Sequence, residues 1–110
     1  MKRTILAFAA LLQQLAPVHA GSRYVTATVY HHAFHGGTTS CGQTYQHWGI
    51  SAAHPWLPCG TPVRVSYQGR TLTVTVNDRC ECASLDLSAG AAHRLGVPLD
   101  GIASVHISHP

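Results

Sequence analysis

The sequence predicts an all-β domain, a small closed barrel of six short strands with one short helix. Three observations predict it. Short apolar runs alternating with polar residues recur along the chain, separated by glycine and proline turn signals. One stretch alone, Ser88 to Leu95, combines a helix-capping residue with helix-favouring alanines. The domain is also small, and closing its sheet removes the exposed edges that short strands otherwise leave.

Each element has a local reason. Tyr24 to Tyr30 alternates, with Val25, Ala27 and Val29 on one face. His31 to Thr39 is a turn-rich loop through Gly36-Gly37, and Cys41 to Gly49 continues it. Ile50 to Ala53 is a short apolar strand, followed by an extended segment, His54-Pro55-Trp56-Leu57-Pro58, in which each proline disfavours helix before it. Pro62 to Tyr67, with Val63 and Val65 inward, turns at Gln68-Gly69-Arg70 into the return strand Thr71 to Asn77. A polar loop with Asp78, Arg79, Cys80, Glu81 and Cys82 follows, and then the short apolar segment Leu85-Asp86-Leu87. Ser88 caps the helix and Gly96 ends it, although Gly90 weakens it from within. Gly101 to Ser108 is the last strand, with Ala103, Val105 and Ile107 on one side.

The chain has 110 residues, of which the first twenty read as a secretory signal peptide. Lys2 and Arg3 precede the apolar run Thr4 to Leu12, and Val18-His19-Ala20 offers a small-residue cleavage site before Gly21. The run is too short for a stable transmembrane helix, and no cysteine follows the cleavage site to take a lipid anchor. The reading is therefore a periplasmic or secreted domain over residues 21–110, without a stable membrane anchor and working as a monomer. Within it, five Lys and Arg against four Asp and Glu leave a net charge of +1 with histidines neutral, too little for a nucleic-acid partner. Eight histidines make it more cationic below about pH 6.5. Cys41, Cys59, Cys80 and Cys82 form an even set, which in an oxidising compartment reads as two disulfides with three pairings possible. Cys41–Cys59 is favoured because it closes a real loop, leaving a tight Cys80–Cys82 pair; crossed pairings remain open. The cysteine and histidine spacing fits no zinc pattern, and no cofactor is expected.

Read in order, several motifs carry a resemblance. They are Ala27-Thr28-Val29-Tyr30, Phe34-His35-Gly36, Thr38 through Gly42, Ser51-Ala52-Ala53-His54, Leu57-Pro58, Gly60-Thr61-Pro62-Val63-Arg64-Val65, Val76-Asn77-Asp78-Arg79 and Leu85-Asp86-Leu87-Ser88. In this order and spacing, from about Ala27 to Ile107, the chain resembles the double-psi β-barrel domain of the rare lipoprotein A (RlpA) family, endolytic peptidoglycan transglycosylases. The resemblance implies a glycan-directed domain whose partner is peptidoglycan or another polysaccharide. It implies site roles for His54 and Asp78. The family's glutamate and first aspartate fall on Gln43 and Gln46, so two of four expected polar residues are amides. The cysteines are similar to those of secreted barwin and expansin relatives, in which the segment matching Leu85-Asp86-Leu87 carries a site aspartate.

The chemistry needs a carboxylic acid that protonates the leaving oxygen while the sugar's own 6-hydroxyl attacks. Asp78, His54 and Asp86 are the candidate catalytic residues. Arg79 beside Asp78 opposes an acid role, whereas burial of Asp86 between two leucines favours one. An amide cannot donate the proton, so Gln43 and Gln46 are expected to bind substrate through hydrogen bonds. Tyr30 and Trp56 are expected as flat faces for sugar stacking, Trp56 held exposed by its flanking prolines; Tyr45 and Trp48 are expected to pack. Glu81 is expected to be a solvated loop charge. His31, His32 and His35 cluster on a loop without metal-ligand spacing. A carbohydrate-binding, expansin-like module and a protein-binding inhibitor are the alternatives to an enzyme.

Overall fold

The computed structural model describes residues 21–82 and 84–110, so the predicted signal peptide lies outside the described residues. Six strands close into a barrel: β1 (Arg23–Val29), β2 (Ser51–His54), β3 (Pro62–Tyr67), β4 (Arg70–Arg79), β5 (Leu85–Leu87) and β6 (Ala103–Ser108), with the short helix α1 (Ala89–Leu95) before β6. Their order around the barrel is β1-β5-β2-β4-β3-β6. Only β3 and β4 form a local hairpin, antiparallel from Pro62↔Thr75 to Tyr67↔Arg70. Two pairings are parallel, β1 with β5 and β2 with β4. Parallel neighbours need long crossovers, so the intervening loops pass over the barrel's outside and ends.

The alternation in each strand sends one set of side chains inward. Val63, Val65, Val74, Val76, Leu85, Leu87, Val105 and Ile107 are fully buried, with Ala27 and Ala52 between them. Ala91, Ala92, Leu95 and Val97 join that core from the helical segment. Ser88 caps α1 as expected, its Oγ accepting from Ala91 N at 3.3 Å, and Gly96 ends it at φ 81°. The same Ser88 hydroxyl donates to Gly49 O at 2.7 Å and accepts from Ser51 N at 3.1 Å, which ties the helix start to the loop before β2. Gly90, the helix's weak residue, has a packing reason. A Cβ there would lie 2.4 Å from the carbonyl oxygens of both Trp48 and Gly49.

The boundaries moved in two places that matter for the site. β4 runs on to Arg79, so Asp78 and Arg79 belong to the strand and not to a loop. β2 includes His54, which the prolines had assigned to the extended segment. In both cases pairing with a strand distant in sequence extends the element beyond its local signal. Within the long loop after β1, His32–Phe34 forms a single 3-10 turn. The disulfides are Cys41–Cys59 and Cys80–Cys82. The first spans 18 residues and constrains the unfolded chain by about 3 kcal/mol, whereas the second closes almost no chain.

Candidate functional site

Register builds the site. Thr28 of β1 pairs with Asp86 of β5, Asp86 with Ala53 of β2, and Ala53 with Asp78 of β4. These residues form a row across four adjacent strands on the barrel's outer face. Asp78 reaches that face because the β2–β4 register shifts: Ala52 pairs with Val76, but Ala53 pairs with Asp78. The extra residue, Asn77, is a bulge that re-aims the carboxylate. Ala53, the small residue in the row, is buried beneath Tyr30 and Tyr45.

Asp78 is held from several sides. Tyr30 donates its hydroxyl to Oδ2 at 2.7 Å. Ser40 donates both its backbone N–H and its hydroxyl to Oδ1, each at 2.8 Å, and Arg79 N donates to the same oxygen at 2.9 Å. Burial alone would raise the carboxyl's pKa, but the Ser40, Tyr30 and Arg79 donors together outweigh it and hold the pKa below the ordinary value. Asp78 is therefore an ionised hub that pins the loop leading into Cys41 and Gln43. The Arg79 side chain does not pair with it; its guanidinium donates to His54 O and Leu57 O at 2.9 and 2.6 Å.

Asp86 is the opposite case. Burial raises its pKa, the Thr28 hydroxyl at 3.1 Å offsets part of that, and the negative charge of Asp78 adds to the rise. It is half-buried, so it combines a shielded carboxyl with access to solvent. Two carboxyls in one row whose surroundings push them apart are the arrangement acid–base chemistry uses.

The other expected site residues are placed as follows. Tyr30, expected as a flat face for a sugar, is 8% exposed, stacked on Tyr45 at 4.2 Å between ring centroids, and its hydroxyl is committed to Asp78. His54, expected to meet substrate or an acid, is wholly buried. Its Nδ1 accepts from Trp56 N at 3.1 Å and Leu57 N at 2.9 Å, which leaves the proton on Nε2. Nε2 is buried with no hydrogen-bond partner among the described residues. Burial, reinforced by the nearby charges of Arg23, His109 and Arg79, lowers the His54 pKa to about 4, so the ring is neutral. Its ring thus shapes the 55–57 turn.

Trp56 is 59% exposed, with the Arg23 guanidinium 5.8 Å from its ring centroid. Trp48, expected to pack, is also open, at 61% exposure, whereas Tyr45 is buried. Gln43 and Gln46 are exposed on the loop that Ser40 ties to Asp78. Gln43 is fixed through its backbone, its N–H donating to Thr39 Oγ1 and its carbonyl accepting from Thr39 N. Glu81 is exposed, as a loop charge would be. Among the described residues no three His, Cys, Asp or Glu side chains are arranged to hold a metal. Sequence reasoning missed Ser40 and Thr28. The alternation of β1 would have put Thr28 on the same face as Tyr30; nothing local marks Ser40.

A closed barrel with this strand order, two parallel pairings and an outer polar row defines a double-psi β-barrel domain. The chain belongs to the lytic transglycolase family, whose profile matches residues 22–107. It is 41% identical over 87 residues to the endolytic peptidoglycan transglycosylase RlpA of Pseudomonas aeruginosa, covering 74% of this chain but 26% of that protein. An uncharacterized protein of Synechocystis sp. is 44% identical over 85 residues, covering 76% of this chain and 93% of the relative. Among solved structures, the Streptomyces papain inhibitor superposes with a TM-score of 0.69 at 29% identity, covering 82% of this chain and 94% of that one. A Clavibacter michiganensis expansin, solved as a mutant with cellohexaose, superposes with a TM-score of 0.67 at 23% identity, over 81% of this chain and 50% of that one; that likeness concerns the fold. The chain thus spans about a quarter of the RlpA protein it matches and nearly all of the inhibitor.

Proposed function

We propose that this chain is an exported domain that binds bacterial peptidoglycan and cleaves it weakly, as an endolytic transglycosylase limited by the amides at Gln43 and Gln46. The observation that supports this most is the contrast within the outer row: Asp86 raised by burial, Asp78 lowered by its donors. In this reading Asp86 is the proton donor. It protonates the glycosidic oxygen as the bond to the anomeric carbon breaks. The sugar's own 6-hydroxyl forms the new bond to that carbon, and its proton returns to the Asp86 carboxylate, so no water is consumed. Asp78 positions the Gln43 loop, His54 sets the turn that presents Trp56, and Gln43, Gln46 and Trp56 bind sugar.

The test is incubation of the purified protein with sacculi, followed by mass spectrometry of the soluble products. Anhydro-muramyl products lost in Asp86→Asn, with pelleting on sacculi retained, support the assignment; products that persist in Asp86→Asn overturn it. Gln43→Glu returns a titratable group and raises turnover, within the roughly 10²–10⁴-fold that general acid–base catalysis supplies.

A second reading has its own observation. The domain covers 94% of the Streptomyces papain inhibitor at 29% identity, so a protein-binding inhibitor built on the barrel loops fits the chain's extent. Inhibition of a papain-type protease without pelleting on sacculi favours that reading.

A further inference from the structure

A cleft of about 570 Å³ opens at the end of the barrel where β1 finishes, lined by Thr28, Tyr30, His31, His32, His47 and Asp100 among others. It is not the Trp56 platform. β1 runs parallel to β5, which runs antiparallel to β2, so the end of β1 lies beside the start of β2, while Trp56 follows the end of β2. The volume suits one or two sugar rings.

The wall of this cleft is unusual in its chemistry. The His31 and His32 rings lie 4.2 Å apart between centroids, tilted 33° to each other, and both residues are exposed. His47 faces them, with Nδ1 2.9 Å from the Tyr45 hydroxyl. His35 stands behind, its Nδ1 accepting from His47 N at 3.1 Å. Asp100 lies on the opposing loop. The other charged groups near the cleft are Asp86, reached through Thr28, the Asp78 carboxylate bound by Tyr30, and His93, whose ring meets Trp48 next to His47. Imidazole is the side chain that gains charge in acid, so a wall built of imidazoles is a surface that a falling pH turns toward anions. Protonated imidazoles so close repel one another, and burial together with His32, His35 and His31 already disfavours the charge on His47. An anion seated among them relieves that repulsion. Its binding and proton uptake are therefore linked, each favouring the other.

We propose that this histidine-walled cleft is a subsite for the carboxylate of an acidic sugar, which it binds in acid and releases at neutral pH. The proposal rests on the glycan-directed reading above and adds the charge of the sugar and the pH at which it is held. Thr28 and the paired His31 and His32 rings contact the sugar, and the protonated imidazoles face the carboxylate.

The experiment is titration of the full chain with hexagalacturonate, cellohexaose and inorganic phosphate at pH 5.0 and 7.5, read by calorimetry and by the histidine ring resonances. The uronate is expected to bind at least tenfold more tightly at pH 5.0, with net proton uptake and shifts at His31, His32 and His47. In His31→Gln/His32→Gln, checked by thermal unfolding to be folded, the pH 5.0 affinity falls to the wild-type pH 7.5 level. Equal affinity at both pH values, cellohexaose binding as tightly as the uronate, or an unaffected double variant overturns the proposal. So does phosphate matching the uronate, which makes the cleft a general anion site. Pelleting on sacculi at pH 7.5 fails only if the glycan-directed reading itself is wrong.

Discussion

Asp78→Asn removes the charge at the hub of the outer row and leaves its shape. Four hydrogen bonds now end on the carboxylate, from Tyr30, from Ser40 twice and from Arg79. A bond to a charged acceptor is worth about 1.5–3 kcal/mol and a neutral one about 0.5–1.5, so each weakens by roughly 1 kcal/mol. One side of the new amide also presents N–H groups, and Tyr30 must turn its hydroxyl to accept. Because the bonds share one acceptor group they do not add fully, and a loss of about 2–4 kcal/mol is expected. At roughly 4–8 °C per kcal/mol for a domain of this size, the melting temperature falls by about 10–30 °C. The assay is urea and thermal unfolding with disulfides intact, at pH 7 and down to pH 3. The pH dependence separates two groups. His54, with its pKa lowered to about 4, is neutral when folded and charges on unfolding, so acid destabilises the protein as pH falls from about 6.5 towards 4. Asp78, with its pKa lowered, contributes stability that is present above the ordinary carboxylate value of about 3.9 and lost as pH falls through its folded value. The substitution should abolish the second slope and keep the first. A loss under about 0.5 kcal/mol, or an unchanged slope below pH 4, would refute the hub.

Three further outcomes follow from the geometry. Gly90→Ala gains about 1 kcal/mol of helix propensity yet is expected to destabilise by more than about 2 kcal/mol, because the methyl meets two carbonyl oxygens; calorimetry showing stabilisation would contradict the close approach. Tyr30→Phe removes one donor from Asp78, so the carboxyl pKa rises in a carbonyl-carbon NMR titration while stability drops by about 1–2 kcal/mol. Trp56→Ala removes an exposed ring, so sacculus binding weakens several-fold while the unfolding midpoint moves by little more than about 0.5 kcal/mol.

What was legible from sequence was what is local. Val63 and Val65 against Val74 and Val76 carry a period of two on either side of a turn, and they fold as that hairpin. Ser88 and Gly96 bracket the helix because capping chemistry is written within a few residues. The candidate site was legible in composition but not in placement. The local sequence places Asp78 in a loop, because the bulge at Asn77 exists only against β2, more than twenty residues away. Histidine 54 gave no local sign of burial, since the backbone N–H groups that hold it come from a turn folding back over it. Tyr30 and Trp48 exchanged their expected exposures for the same reason: which aromatic lies under the loop depends on how Ser40 is anchored to a strand far along the chain.

The position of β6 between β1 and β3 has a kinetic meaning. The first strand finds its two neighbours, β5 and β6, only after most of the chain has been made. A chain made only as far as Arg79 holds the β3–β4 hairpin and an unpaired β1, but no closed core. Topologies dominated by such distant pairings fold slowly, and their edges stay exposed while they wait. This barrel must therefore close late and nearly all at once, and a chain stopped before Ala103 is a substrate for proteases and not a smaller version of the domain.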